Sequence, residues 1–202
     1  QFDVERAAFF DELSATWDAM IVQPAPQYVR QLLAAVAIKP GDVVLDVGSG
    51  TGFLLSYMLQ EQPAKIIACD ISTKMLEVLA TKYQGIGTIN LLHADAIDLP
   101  LEDCVVDVVV CNGVYPHFAD RAGTLQELYR VAKPGARIAV SHFGGRDFVN
   151  SIHAGHDHKL IRGDLLETAE EVSQLLEQSG FTVSEMCDTE HFFLVGGMKA
   201  DD

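Results

Sequence analysis

The sequence is most constrained at Val43-Val44-Leu45-Asp46-Val47, a short β-branched run that passes directly into Gly48-Ser49-Gly50-Thr51-Gly52 and then into the helix-forming stretch Leu54–Gln60. Glycines at these positions let the backbone turn tightly at the carboxyl end of a strand, and they leave no side chains between that backbone and a ligand. In doubly wound α/β sheets this is where nucleotide-type ligands bind. The spacing narrows the ligand. A dinucleotide fingerprint needs a further glycine three residues after Gly50, where Phe53 stands, and a phosphate-cradling loop would end in Gly-Lys-Ser/Thr, which is absent.

From Asp42 onward, short β-branched runs alternate with helical spacing. Strands are expected at Val43–Val47, Lys65–Asp70, Ile89–His93, Val106–Cys111 and Arg137–Phe143, with helices at Leu54–Gln60, Lys74–Tyr83 and Gly123–Ala132. Such alternation implies a parallel sheet covered on both faces, and the unalternated run Val105–Cys111 suits a central strand with no solvent face. After a helix over about Thr168–Ser179, strands at Thr182–Cys187 and Phe192–Met198 are separated by the short Asp188–His191 link, which predicts an antiparallel hairpin at the sheet edge. Upstream, Phe2, Phe9, Phe10, Leu13 and Trp17 recur with helical spacing, Arg6 interrupting the apolar face. A second helix, Tyr28–Val36, stops before Pro40-Gly41. The expected fold class is α/β: a doubly wound, Rossmann-like, mostly parallel sheet with an antiparallel C-terminal edge hairpin, in a single domain spanning 1–202.

Composition sets the class of partner. Twenty-nine acidic against fourteen basic residues leave a formal net charge of -15, a field that repels phosphate backbones and anionic lipid surfaces, so nucleic acid is not an expected partner. Hydrophobic residues at 49% with 21% charged residues support one full core in a chain of 202 residues. No apolar run approaches the ~18 residues that span a bilayer, and no signal core or basic leader opens the sequence. A cytoplasmic protein without a membrane span is expected. Cys69, Cys104, Cys111 and Cys187 form no C-x-x-C pair and read as reduced thiols packed as small hydrophobes.

The segment Val44-Leu45-Asp46-Val47-Gly48-Ser49-Gly50-Thr51-Gly52 resembles the first motif of class I S-adenosylmethionine-dependent methyltransferases, and the resemblance extends from about Gln27 to Phe143. Asp70 closes the next strand where the family's acidic residue accepts hydrogen bonds from both ribose hydroxyls, and Ile71 follows as apolar cover for adenine. His93-Ala94-Asp95-Ala96 resembles the family's third site, which implies that Asp95 takes the adenine amino group and the Ala96 amide meets a ring nitrogen. Cys111-Asn112-Gly113 ends the fourth strand, with Asn112 placed to contact the methionine part of the cofactor, and Val131–Arg137 resembles the connection into the fifth strand. The resemblance implies S-adenosylmethionine as cofactor, S-adenosylhomocysteine as product, and a cofactor set of Asp46, Gly48, Ser49, Gly50, Gly52, Asp70, Ile71, Asp95, Ala96 and Asn112. It divides the chain into an N-terminal helical cap (1–40), a cofactor-binding core (41–143) and a substrate-side loop with C-terminal helix and strands (144–202).

Phe9-Phe10-Asp11-Glu12-Leu13-Ser14-Ala15-Thr16-Trp17-Asp18 resembles the lead-in of the ubiquinone and menaquinone methyltransferase subgroup, whose aromatic near Trp17 closes over the cofactor. Trp in place of the common Tyr keeps the aromatic wall and loses a hydroxyl. Methyl transfer is an in-line displacement for which the protein supplies alignment, water exclusion and, where the nucleophile carries a proton, a base. His117, five residues after Asn112, occupies the position of that subgroup's histidine and is the expected base or acceptor contact. His153, His156 and His158, with Asp157 among them, form the least generic feature. They are expected either to hold a divalent metal, folding back over the fourth and fifth strands toward His117 or His142, or to remain solvated loop side chains. A small-molecule acceptor is the expected partner. Competing readings are a nucleotide-dependent oxidoreductase, a non-catalytic cofactor-binding protein, and a methyltransferase acting on a metalloid or thiol.

Overall fold

The computed structural model describes residues 2–21 and 23–201. Among the described residues seven strands form one sheet: β1 (Val43–Val47), β2 (Lys65–Asp70), β3 (Ile89–His93), β4 (Val106–Asn112), β5 (Ala132–Phe143), β6 (Phe181–Asp188) and β7 (Phe192–Lys199). Their order across the sheet is β3-β2-β1-β4-β5-β7-β6. The first five run parallel, while β7 pairs antiparallel with both β5 and β6. The hairpin therefore lies at the edge, with β7 inside and β6 outermost.

Side chains alternate across each strand, and the alternation feeds two separate cores. Leu45, Val47, Ile67, Val109, Cys111, Ile138 and Val140 point to one face, where α6 (Arg121–Val131) and α9 (Ala169–Gln178) contribute Leu125, Leu128, Val172 and Leu176. Val44, Ile66, Val108, Val110 and Ala139 point to the other, under α3 (Pro26–Val36), α4 (Leu55–Met58) and α5 (Thr73–Lys82). Each fully buried Leu, Ile or Val contributes roughly 1.5–3 kcal/mol relative to exposure. That term explains why these strands read as continuous apolar runs.

Register then places the chemistry. Val47 lies beside Cys69 and Cys111, and Asp70 and Asn112 lie beside His93 and Ser141, so the carboxyl ends of β1, β2 and β4 finish at one level. Local signals set the helix starts: Ser72 caps α5 by accepting from the Met75 amide, Asp120 caps α6, and Thr168 with Glu171 forms a reciprocal capping box on α9.

Three expectations are corrected. The stretch expected as the helix Leu54–Gln60 is one α-turn, Leu55–Met58, continued as a 3-10 turn over Leu59–Glu61. Strand β5 begins at Ala132 rather than Arg137, with a register irregularity that accommodates Pro134-Gly135. The substrate-side segment expected as a loop is helical, forming α7 (Arg146–Ala154) and α8 (Lys159–Gly163). Its buried stripe is Val149 and His153, one helical turn apart, and a histidine in that role hides the apolar periodicity.

Candidate functional site

Gly48, Gly50 and Gly52 all have positive φ, at 67°, 53° and 86°, and their neighbours separate their duties. A Cβ on Gly48 would stand 2.4 Å from Val114 Cγ2, and one on Gly52 would stand 2.9 Å from the Tyr83 ring. These two glycines let the loop pack against the protein. At Gly50 a Cβ would meet only Trp17 Nε1, 3.6 Å away, so this backbone faces open space roofed by the indole.

Two carboxylates flank the loop. Asp46 is 3% exposed and has no hydrogen-bond donor among the described residues, and burial together with repulsion from Asp70 pushes its carboxyl up to about 8. Asp70 accepts the Gly50 amide at 2.7 Å and the Ser72 amide at 2.8 Å. Burial raises its pKa to about 6 against the pull of those two bonds. Its lone pairs are not exhausted, since a carboxylate accepts about four hydrogen bonds. Nearby, the Ser49 hydroxyl is buried without a partner. The unpaired Asp46 carboxyl, the orphaned Ser49 hydroxyl and the bare Gly50 backbone leave hydrogen-bonding capacity open to a polar ligand.

Ile71 is half-buried beside Asp70, and Ala96 is buried. Asp95 accepts from the Ile97 amide at 3.3 Å and from the Asp3 amide, at the start of the cap, at 3.1 Å. Asn112 is held by the Ser141 hydroxyl, which donates to its side-chain oxygen at 3.0 Å.

The cap is fastened to this site at several points. It comprises α1 (Val4–Leu13) and α2 (Trp17–Met20). Asp11 accepts from the Ser72 hydroxyl at 2.5 Å and the Lys74 amide at 3.0 Å, which puts a carboxylate on the N-terminus of α5. Asp18 accepts from the Thr51 hydroxyl and pairs with Lys82, each at 2.5 Å. Trp17 packs edge-on against Phe10, and Phe10 against His117, at 6.0 and 5.2 Å between ring centroids.

In the turn after β4, His117 stands 5.0 Å from His153 between ring centroids. His117 Nδ1 donates to the Asp164 carboxylate at 2.8 Å, and His153 Nδ1 donates to the Asp164 carbonyl. His142 donates to the Phe143 carbonyl, and burial with the neighbouring His117 and His153 pushes its pKa down to about 4. Arg6, the residue that seemed to interrupt an apolar face, is the buried residue of α1: its guanidinium reaches both Asp164 oxygens, at 2.5 and 3.3 Å, and Asp3 at 2.6 Å.

The expected triad of metal ligands does not assemble. His153 does turn toward His117, but His156 and His158 pack their rings on Phe9, and His156 Nδ1 accepts from the His158 amide. Among the described residues no three His, Cys, Asp or Glu side chains form a metal-binding group. His153 is held by the Asp164 carbonyl and His156 by the His158 amide, while the His158 ring packs on Phe9 with its Nδ1 buried and unpartnered. Sequence reasoning gave no contact to Arg6, Asp11, Asp18 or Asp164. Arg6 carried a signal, because a charge on the apolar side of an amphipathic helix requires a buried partner, and Asp11 and Asp18 stood within the quoted lead-in motif without an assigned role.

A parallel five-stranded core with an antiparallel β7 inserted beside β5, and a glycine loop between two strand-end carboxylates, defines the class I methyltransferase fold. Residues 45–140 match the family model described as "Methyltransferase domain". The chain is 39% identical over 140 residues to a protein named demethylmenaquinone methyltransferase from Symbiobacterium thermophilum, covering 64% of this chain and 55% of that one. It is 33% identical over 141 residues to a protein of the same name from Clavibacter sepedonicus, covering 68% and 57%. It thus spans little more than half the length of these curated relatives. The crystal structure of a SAM-dependent methyltransferase from Aquifex aeolicus superposes with a TM-score of 0.69 over 98% of this chain and 99% of that one, at 24% identity. The chain carries a methyltransferase domain over residues 45–140 and is similar to class I S-adenosylmethionine-dependent methyltransferases.

Proposed function

We propose that the chain, acting as one domain, catalyses S-adenosylmethionine-dependent transfer of a methyl group to a small-molecule acceptor in the cytoplasm. The observation that carries the reading is the pairing of unpartnered Asp46 and Ser49 with the open Gly50 backbone under Trp17. These groups fit the methyl donor, whose ammonium and sulfonium are cationic and whose ribose is a hydroxyl donor. No helix among the described residues is long and apolar enough to cross a membrane.

In this reading Asp70 turns its free lone pairs to the ribose hydroxyls, while Ile71, Asp95 and the Ala96 amide hold adenine. Gly48, Gly50 and Gly52 shape the turn, Asp46, Ser49 and Asn112 serve the methionine end, and Trp17 closes over it. When bound, the donor supplies an electrophilic methyl carbon. The protein aligns the acceptor with that carbon and excludes water through the cap, Phe10 and α7. The relatives' quinone-related names make an aromatic hydroxyl or ring-carbon acceptor the first to assay. No metal is part of this reading.

Calorimetry with S-adenosylmethionine, S-adenosylhomocysteine and NAD tests it. Binding of the first two without NAD is expected. Affinity for NAD alone would overturn the methyltransferase assignment in favour of nucleotide-linked redox chemistry.

A further inference from the structure

Asp164 sits where four segments meet: its carboxylate takes Arg6 from α1 and His117 from the turn after β4, and its carbonyl takes His153 from α7. The residue is 5% exposed and stands at the C-cap of α8, where its backbone amide donates to the Ile161 carbonyl. A carboxylate can only accept, so the 2.8 Å contact fixes the proton on His117 Nδ1. The lone pair is thereby left on Nε2, which has no hydrogen-bond partner among the described residues. Around the ring stand Phe10, His153, His142, Asp164 and Arg6, and the one full positive charge among them is spent on Asp164 and Asp3. An imidazole with a fixed tautomer, a carboxylate behind it and an open nitrogen in front is arranged to take a proton.

We propose that His117 and Asp164 form a proton-accepting dyad for a hydroxyl acceptor, with Asp164 as positioning residue and Arg6 as the clasp that completes it when the cap is docked. The inference rests on the methyltransferase reading and deepens it by naming the acceptor class. The acceptor O–H gives its proton to His117 Nε2. Its oxygen lone pair forms the O–CH3 bond as the C–S bond breaks, and that bonding pair goes to sulfur, turning the sulfonium into a neutral thioether. The imidazolium, held against Asp164, then releases the proton to solvent. A neutral amine acceptor needs no such base before attack, so a fixed base points to an acceptor with an acidic proton, and the hydroxyl is the class put to the test below.

The test needs no natural acceptor. Purified protein saturated with S-adenosylhomocysteine is titrated with 4-nitrophenol below that phenol's own ionisation, and the phenolate absorption band is read. Wild type is expected to bind the probe as phenolate. The His117→Gln variant and the Arg6→Gln, Asp164→Asn double variant, which removes both buried charges together, are expected to lose at least tenfold of the band while still binding S-adenosylhomocysteine. Nitrogen-15 NMR should show His117 protonated on Nδ1 in wild type and a mixture of tautomers in the double variant. No phenolate in the wild-type complex, an undiminished band in either variant, or an unchanged tautomer would overturn the dyad. Failure of wild type to bind S-adenosylhomocysteine would overturn the underlying reading instead.

Discussion

Asp46 and Asp70 end adjacent strands, yet their circumstances differ by two backbone hydrogen bonds. Asp70 has the Gly50 and Ser72 amides and Asp46 has none, so the pKa of Asp46 is held at about 8 and that of Asp70 at about 6. An unfolded Asp loses its proton near ~4. Between that value and 8 the folded chain therefore binds the proton that the unfolded chain has released, and Asp46 lowers stability as pH rises through this window. A bound cation reverses the sign by favouring the ionised form. Affinity for S-adenosylhomocysteine should rise between pH 6.5 and 8 with release of a proton, seen as a dependence of calorimetric heat on buffer, and Asp46→Asn should flatten the rise. Replacement of Asp70 by Ala removes a two-pronged acceptor; a loss of roughly 1.5–3 kcal/mol in cofactor affinity is expected for charge-assisted bonds. Equal affinity in the folded variant would detach Asp70 from the ribose. Among the glycines, Gly50→Val should fold at a cost of roughly 1–3 kcal/mol from its positive φ and fail to bind, whereas Gly48→Ala adds to that strain a clash with Val114 and should lower the melting temperature further. Circular dichroism and calorimetry on both separate ligand approach from loop packing.

At the scale of elements, α1 is held mainly by polar contacts. Its apolar face is weak, with Val4 72% exposed and Phe9 and Phe10 half-buried, while Arg6 is buried against Asp164. Cutting one side of such a pair leaves a buried charge behind, and the usual penalty is about 3–5 kcal/mol, part of which His117 offsets here by retaining its bond to Asp164. Arg6→Ala should accordingly release α1 before the sheet melts. Hydrogen exchange should show lost protection over 4–13 with the strands unchanged, and uniform loss across the chain would contradict a separable cap. On the far side of the sheet, Thr168→Ala removes the capping box of α9 and should lower stability by about 1 kcal/mol in chemical denaturation, with no change in cofactor affinity.

For the whole molecule, the cap is tied down at two places: Asp3 meets Asp95 after β3, and Arg6 reaches Asp164 at the end of α8, the sides proposed above for adenine and for the acceptor. Ligand binding under this roof should stabilise fold and cap together. S-adenosylhomocysteine at about a hundred times its Kd adds roughly 2.7 kcal/mol, or about 5–10 °C in Tm for a chain of this size. Limited proteolysis should show protection of the cap in the same samples. A shift in Tm without cap protection would mean that the cap stays open over the bound ligand.

Much of this was written in the linear chain. Val43–Val47 and Lys65–Asp70 appear as strands over the residues expected, because a strand buried on both faces needs an unbroken apolar run and its ends are marked by glycine or charge; Ile89–His93 also appears as expected, although it is the partly exposed edge strand. The glycine turn and the position of Asp70 at the end of β2 were legible for the same reason: both follow from one strand and one turn. Position along the chain could not show which glycine faces the ligand, since Val114 and Tyr83 approach Gly48 and Gly52 from distant segments. Nor could it separate His153 from His156 and His158. Three histidines within six residues look equivalent in sequence, and helix α7 turns one toward His117 while Phe9 takes the other two. Arg6 and Asp164 lie 158 residues apart, and their pairing exists only because the cap folds over the acceptor side. The sequence by itself determined the sheet, its order of strands and helices, and the cofactor loop, because burial and backbone geometry are local demands. Tertiary structure alone decided the acceptor side, where charges separated by most of the chain are buried and each must find a partner.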